Sequence, residues 1–100
     1  MKTIILFCAN GFSTIMMRDK IRETSQNEGL DYTIEAFPFA KLEEEGQRAD
    51  LILLAPQIRF NRKAVEKLYP DKKIIIVDMA AYGAMNGSAV LKEIRNTLGD

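Results

Sequence analysis

Four short apolar runs recur along the chain: residues 3–7 (TIILF), 32–37 (YTIEAF), 51–55 (LILLA) and 73–77 (KIIIV). Each is too short for a buried helix and rich in β-branched or aromatic side chains, so each reads as a strand. Three of them are continuously apolar instead of alternating, the pattern of parallel strands covered by helices on both faces. The run at 32–37 alternates, which predicts an edge strand with one wetter face.

Polar stretches of helical length separate the runs. Residues 13–28 put Met17, Ile21 and Thr24 on one face, with Arg18, Asp19, Arg22 and Glu23 around the rest and Gly29 where a C-cap is expected. Residues 41–47 allow at most two turns. Residues 61–68 offer Ala64, Val65 and Leu68 before Pro70, and residues 88–98 offer Val90, Leu91, Ile94 and Leu98 before Gly99. The connection at 79–87 reads as a loop. Strict βαβαβαβα order with short connections implies right-handed crossovers, hence an α/β fold: an open, doubly wound, four-stranded parallel sheet in the order 2-1-3-4 with helices on both faces. Repeats and linkers are absent, so residues 1–100 are expected to form a single domain; a chain of this length buries roughly 60 to 70% of its unfolded surface, enough for one core.

Zero counts exclude whole classes of chemistry. The chain has no His, which removes Ser-His-Asp triads, Cys-His dyads, histidine zinc sites and any phosphohistidine of its own. Its one cysteine, Cys8, forms neither an internal disulfide nor a Cys-x-x-Cys pair, so no metal and no cofactor is expected and a reducing cytoplasm suits it. Fourteen Lys+Arg balance 14 Asp+Glu, against a nucleic-acid-binding module and against a membrane-surface helix. The apolar run after Lys2 is shorter than the stretch of about 7 to 15 residues of a secretion signal, and no segment is long enough to insert into a bilayer. A cytoplasmic protein is expected.

In a sheet of this order, ligands bind beyond the carboxyl ends of the strands where the strand order reverses, and here strand 1 runs directly into Cys8. The segment Cys8-Ala9-Asn10-Gly11-Phe12-Ser13-Thr14 has no dinucleotide or nucleoside-triphosphate fingerprint. It offers a cysteine, a glycine for a tight turn, and Ser13 or Thr14 as helix N-cap. Backbone N–H groups of Ala9, Asn10, Gly11, Phe12, Ser13, Thr14 and Ile15 are expected to converge on one phosphoryl group at a helix N-terminus. Residues 3–17 contain no charged side chain, so the anion is held by dipoles alone, and the same dipoles favour the thiolate of Cys8 as a nucleophile.

A cysteine at a strand end before a phosphate-sized loop also describes low-molecular-weight tyrosine phosphatases, whose fold this chain is expected to resemble. Those enzymes use Cys-x5-Arg, and the sixth residue after Cys8 is Thr14. A response-regulator receiver needs an aspartate at the end of strand 3, where Ala55 and Pro56 stand. A flavodoxin needs a longer chain.

The segments ILFCANGFST (5–14), IEAFP (34–38) and ADLILLAPQI (49–58), with Asp78 and Tyr82-Gly83 beyond them, resemble the IIB subunits of the lactose/cellobiose class of the bacterial phosphoenolpyruvate-dependent sugar phosphotransferase system over nearly the whole chain. The resemblance implies a phosphocarrier, a protein-phosphocysteine-sugar phosphotransferase: Cys8 accepts a phosphoryl group from a phosphohistidine on a IIA protein and passes it to a sugar, a β-linked disaccharide by class, held in the IIC membrane transporter. The absent histidine fits, because the donor histidine then belongs to a partner. Two alternatives stay open: a phosphatase-like hydrolase using the same cysteine, disfavoured by the missing arginine, and a regulatory module that binds an anion or a partner without covalent chemistry.

Each accessory residue has a chemical and a structural reading, and for Asp78 and Tyr82 the structural one is favoured. Gln57 after strand 3 is expected at the edge that carries Cys8, as a shaper of the loop, a partner contact or a plain turn residue. Asp78 is a stand-in for a general acid or a loop cap, and Tyr82 a site residue or a core cover. Phe12 and Met16 form a candidate apolar collar for partners, Met16 equally a core residue. The run Glu43-Glu44-Glu45 reads as a solvated face.

Overall fold

The computed structural model describes residues 2–9 and 11–100, with the side chains of Phe12 and Ser13 outside the description. Strand β1 (Lys2–Cys8) leads into helix α1 (Gly11–Asn27), then β2 (Tyr32–Pro38). Three short helical turns follow, one more than the sequence pattern allowed: 3-10 turns at Phe39–Lys41 and Gly46–Arg48 flanking α2 (Leu42–Glu45). Next come β3 (Leu51–Leu54), a 3-10 stretch (Pro56–Asn61), α3 (Arg62–Leu68), β4 (Lys73–Ile76), α4 (Met79–Gly83) and α5 (Gly87–Leu98). The sheet is parallel in the order β2-β1-β3-β4. The alternating run lies on an edge, as its pattern requires.

The inner strands carry the core. Ile4 to Cys8 on β1 and Leu51 to Leu54 on β3 are buried without a break, because helices cover both faces. Helix α1 contributes Met17 and Ile21, and α5 contributes Val90, Leu91 and Ile94. These two helices cross so closely that a Cβ on Gly87 would come 2.5 Å from the Lys20 carbonyl oxygen. Elsewhere the Tyr69 hydroxyl donates to the carbonyls of Leu42 and Glu43, at 2.9 and 3.0 Å, tying the chain after α3 to α2.

Four local expectations are corrected. Helix α1 begins at Gly11, so neither Ser13 nor Thr14 is its N-cap; both lie in the first turn. Ser25, not Thr24, continues the buried row of Thr14, Met17 and Ile21, and the Thr24 hydroxyl turns back to the Lys20 carbonyl at 3.0 Å. On α3 only Val65 is buried, while Ala64 and Leu68 line an open groove of 760 Å³ with Phe39 and Leu42. The connection after β4 contains α4, capped by Asp78, whose carboxylate accepts from the Ala81 N–H. That helix ends with Met85 in the left-handed region at φ 53°, the Asn86 N–H returning to Ala81 O at 2.9 Å and the Met85 N–H to Tyr82 O at 3.1 Å. This is the double hydrogen-bond closure usually built on glycine. Gly29 and Gly99, at φ 69° and 78°, fill the same left-handed position after α1 and α5, where they were expected.

Candidate functional site at the carboxyl edge of the sheet

Cys8 is the last residue of β1, in register with Pro38 at the end of β2. The ladder continues sideways through the Ala55 N–H to Phe7 O and the Val77 N–H to Leu54 O, both 2.9 Å. The segments that leave β3 and β4, Pro56-Gln57 and Asp78-Met79, therefore emerge at the same edge as Cys8. Helix α1 opens beside it, and the N–H groups of Gly11, Phe12 and Ser13 have no intrahelical acceptor, whereas helical geometry directs the Ile15 N–H to Gly11 O.

The sulfur itself is enclosed. Cys8 is 3% exposed and Thr14 1%, and the Thr14 hydroxyl donates to Cys8 Sγ. This contact follows from where the helix begins: with Gly11 in the first turn, the side chain of Thr14 faces back toward the strand end. A cavity of 70 Å³ lies against Thr14, lined also by Ile15, Ala36, Phe37 and Pro38. Ala9 is exposed above the strand end.

On the other side of the edge, Gln57 and Tyr82 share the wall of a 310 Å³ cleft with Pro56, Arg59, Met79 and Gly83. Gln57 is exposed; Tyr82 is buried and covers the core, and Asp78 is exposed and caps the helix that carries Tyr82. Met16 points outward, as do Ile15, Phe60 and Met79. The core alternative for Met16 is thereby set aside. Asn10, the Phe12 ring and the Ser13 hydroxyl lie outside the described residues. Sequence reasoning missed Arg59 and Phe60: the Arg59 guanidinium stacks 4.4 Å over the Phe60 ring and donates to Pro56 O at 2.8 Å. Their signal, an Arg-Phe pair directly after a strand and turn, is too common to single out. Arg18 is bound sideways to the Asp19 carboxylate by two hydrogen bonds of 3.0 and 2.9 Å. Among the described residues no cluster of three His, Cys, Asp or Glu side chains suits a metal ion.

The sequence profile of the lactose/cellobiose-specific IIB subunits of the PTS system matches residues 3–93. The chain belongs to this family. It is 32% identical over 95 residues to the oligo-beta-mannoside-specific EIIB component of Bacillus subtilis, covering 93% of this chain and 92% of that one. It is 30% identical over 104 residues to the galactose-specific EIIB component of Lactococcus lactis subsp. cremoris, at 97% and 96% coverage. The solution structure of the cellobiose-specific phosphotransferase IIB component protein of Borrelia burgdorferi superposes with a TM-score of 0.78 at 38% identity, over 96% of this chain and 90% of that one. As a IIB component of the lactose/cellobiose class, the chain is a sugar-transport phosphotransferase component. None of its described helices is long and apolar enough to cross a membrane.

Proposed function

We propose that this IIB component, as one domain over residues 1–100, carries a phosphoryl group on Cys8, taking it from a phosphohistidine of a IIA protein and giving it to a sugar held by a IIC membrane transporter. One observation carries the reading: the only cysteine ends a central strand, enclosed, hydrogen-bonded by Thr14 and beside the N-terminus of a 17-residue helix. The thiolate attacks phosphorus in line, the N–P bond of the donor breaks, and the first-turn N–H groups of Gly11, Phe12 and Ser13, with those of Ala9 and Asn10, receive the phosphoryl oxygens. A helix N-terminus offers only about half a positive charge, so the dianion is bound without being neutralised and stays transferable.

Hydrolysis is disfavoured by the same surroundings. The position of a phosphatase arginine is occupied by Thr14, and Arg18 is committed to Asp19. Ile15, Met16, Phe60 and Met79 give the partners an apolar landing around the edge, with Gln57 and Arg59 as polar contacts. A β-linked disaccharide is the proposed sugar class, supported by the mannoside- and cellobiose-specific relatives and opposed by the galactose-specific one.

The test is phosphorylation with phosphoenolpyruvate, the general phosphotransferase proteins and a matching IIA. Intact-mass spectrometry is expected to show one added phosphoryl group on wild type, mapped to Cys8, and none on Cys8→Ala. A wild type left unmodified by a demonstrably phosphorylated IIA overturns the carrier reading. Cys8-dependent turnover of an aryl phosphate would favour the hydrolase instead.

A further inference from the structure

We infer that Thr14 acts on the sulfur of Cys8 as a catalytic residue, its hydroxyl stabilising the thiolate that receives the phosphoryl group and that is left when the group departs. The inference rests on the proposed phosphocarrier function and adds to it a leaving-group role distinct from cradling phosphate. Thr14 was expected as a helix cap or an anion ligand. It lies instead inside the first turn, with its hydroxyl donating to Sγ.

The surroundings give that hydrogen bond its weight. Both residues are almost wholly buried, at 3% for Cys8 and 1% for Thr14, so water competes little for the sulfur. A neutral thiol is a weak acceptor, whereas a thiolate accepts a charge-assisted bond, so the hydroxyl favours the ionised form over the thiol. No charged side chain occurs in residues 3–17, and Arg18 is bound to Asp19, which leaves dipoles to stabilise charge on sulfur.

In the first transfer the S–P bond forms as the donor's N–P bond breaks, and the histidine nitrogen keeps the bonding pair. In the second the S–P bond breaks, its electron pair returns to Sγ, and phosphorus bonds the sugar hydroxyl oxygen. The sugar's proton leaves to a base of the membrane partner or to water. The Thr14 proton stays on Oγ1 throughout, bonded to the sulfur that carries negative charge before the first step and after the second.

The experiment is alkylation of Cys8 by iodoacetamide on the unphosphorylated protein near neutral pH, which needs no partner. Thr14→Val is expected to react roughly tenfold more slowly than wild type, and Thr14→Ser, which keeps the hydroxyl, to react at the wild-type rate. A merely structural role follows side-chain volume, so Val, of nearly the same shape as Thr, would then keep the wild-type rate and the smaller Ser would not. Thr14→Val at the wild-type rate, or Thr14→Ser as slow as Thr14→Val, overturns the inference; if circular dichroism shows Thr14→Val unfolded, Thr14→Ala carries the same comparison. Failure of wild type to accept a phosphoryl group from IIA would overturn the proposed function while leaving the alkylation result readable on its own.

Discussion

Tyr32 Oη donates to a carboxylate oxygen of Asp100 across 2.6 Å, joining the first residue of edge strand β2 to the residue that follows the Gly99 cap of α5. Lys2 approaches the other oxygen at 3.4 Å from the start of β1. Burial, then the hydrogen bond to Asp100 and its charge, push the Tyr32 phenol up to about 12 from its ordinary 10.0, with Arg95 opposing. Asp100 moves the other way, held below its ordinary 3.8 first by the Tyr32 bond and then, against some burial, by Lys2.

Linkage turns this pair into a prediction. A phenol whose folded value is raised contributes stability that is complete below its unfolded value, about 10, and is lost as pH climbs to about 12. The stability difference between wild type and Tyr32→Phe should therefore shrink across that window in urea unfolding at stepped pH. For Asp100, lowered on folding, the contribution is present above the ordinary carboxylate value and fades as pH falls below it, so Asp100→Asn should match wild type most closely in acid. A Tyr32→Phe difference that stays constant from about pH 9 to about pH 12 would show that the pair is not coupled to folding.

Two glycines predict opposite signs. Gly87→Ala places a methyl 2.5 Å from a backbone oxygen of Lys20, forcing α1 and α5 apart, and should cost about 1–3 kcal/mol. Gly83→Ala meets nothing within 4 Å inside α4 and should gain roughly 0.5–1 kcal/mol from reduced backbone freedom. Denaturant midpoints measured side by side check both.

Asp78 can be tested as a cap against its reading as an acid. Asp78→Asn keeps an acceptor for the Ala81 N–H and should retain both stability and phosphoryl transfer, while Asp78→Ala should cost about 0.5–2 kcal/mol. Transfer lost in a fully stable Asp78→Asn would restore the acid reading.

Phe60 and Met79, 80% and 62% exposed, should tolerate serine with a stability change within about 0.5 kcal/mol. Under the proposed function the same variants need more IIA for half-maximal phosphorylation, and alkylation of Cys8 keeps its wild-type rate. Titration of IIA against initial rate separates docking from chemistry; an unchanged requirement removes these side chains from the interface.

The sheet was legible because continuous β-branched runs have few other uses, and the edge position of 32–37 followed from its alternation alone. Helix boundaries were harder. Two hydroxyl residues after Gly11 resembled a cap, but the turn starts at Gly11 and uses Thr14 from within. Helix α4 was hidden because its left-handed closing residue is Met85, while Gly83, which resembles a stop signal, lies inside the helix. On short α3 the period suggested three core contacts where only Val65 makes one. The position of Cys8 was readable from strand and glycine; its contact with Thr14 was not, since it depends on the first residue of the helix.

Strand β1 is hydrogen-bonded along both edges, to β2 and to β3, and Cys8 is its final residue. Fraying of either outer strand, or loosening of α3, leaves that ladder intact on at least one side. The strand that carries the cysteine is thus expected among the last parts of the molecule to open. Deuterium uptake at the amides of residues 4–7 would then be as slow as complete unfolding allows, so the strand that leads to the nucleophile lasts as long as the native state does.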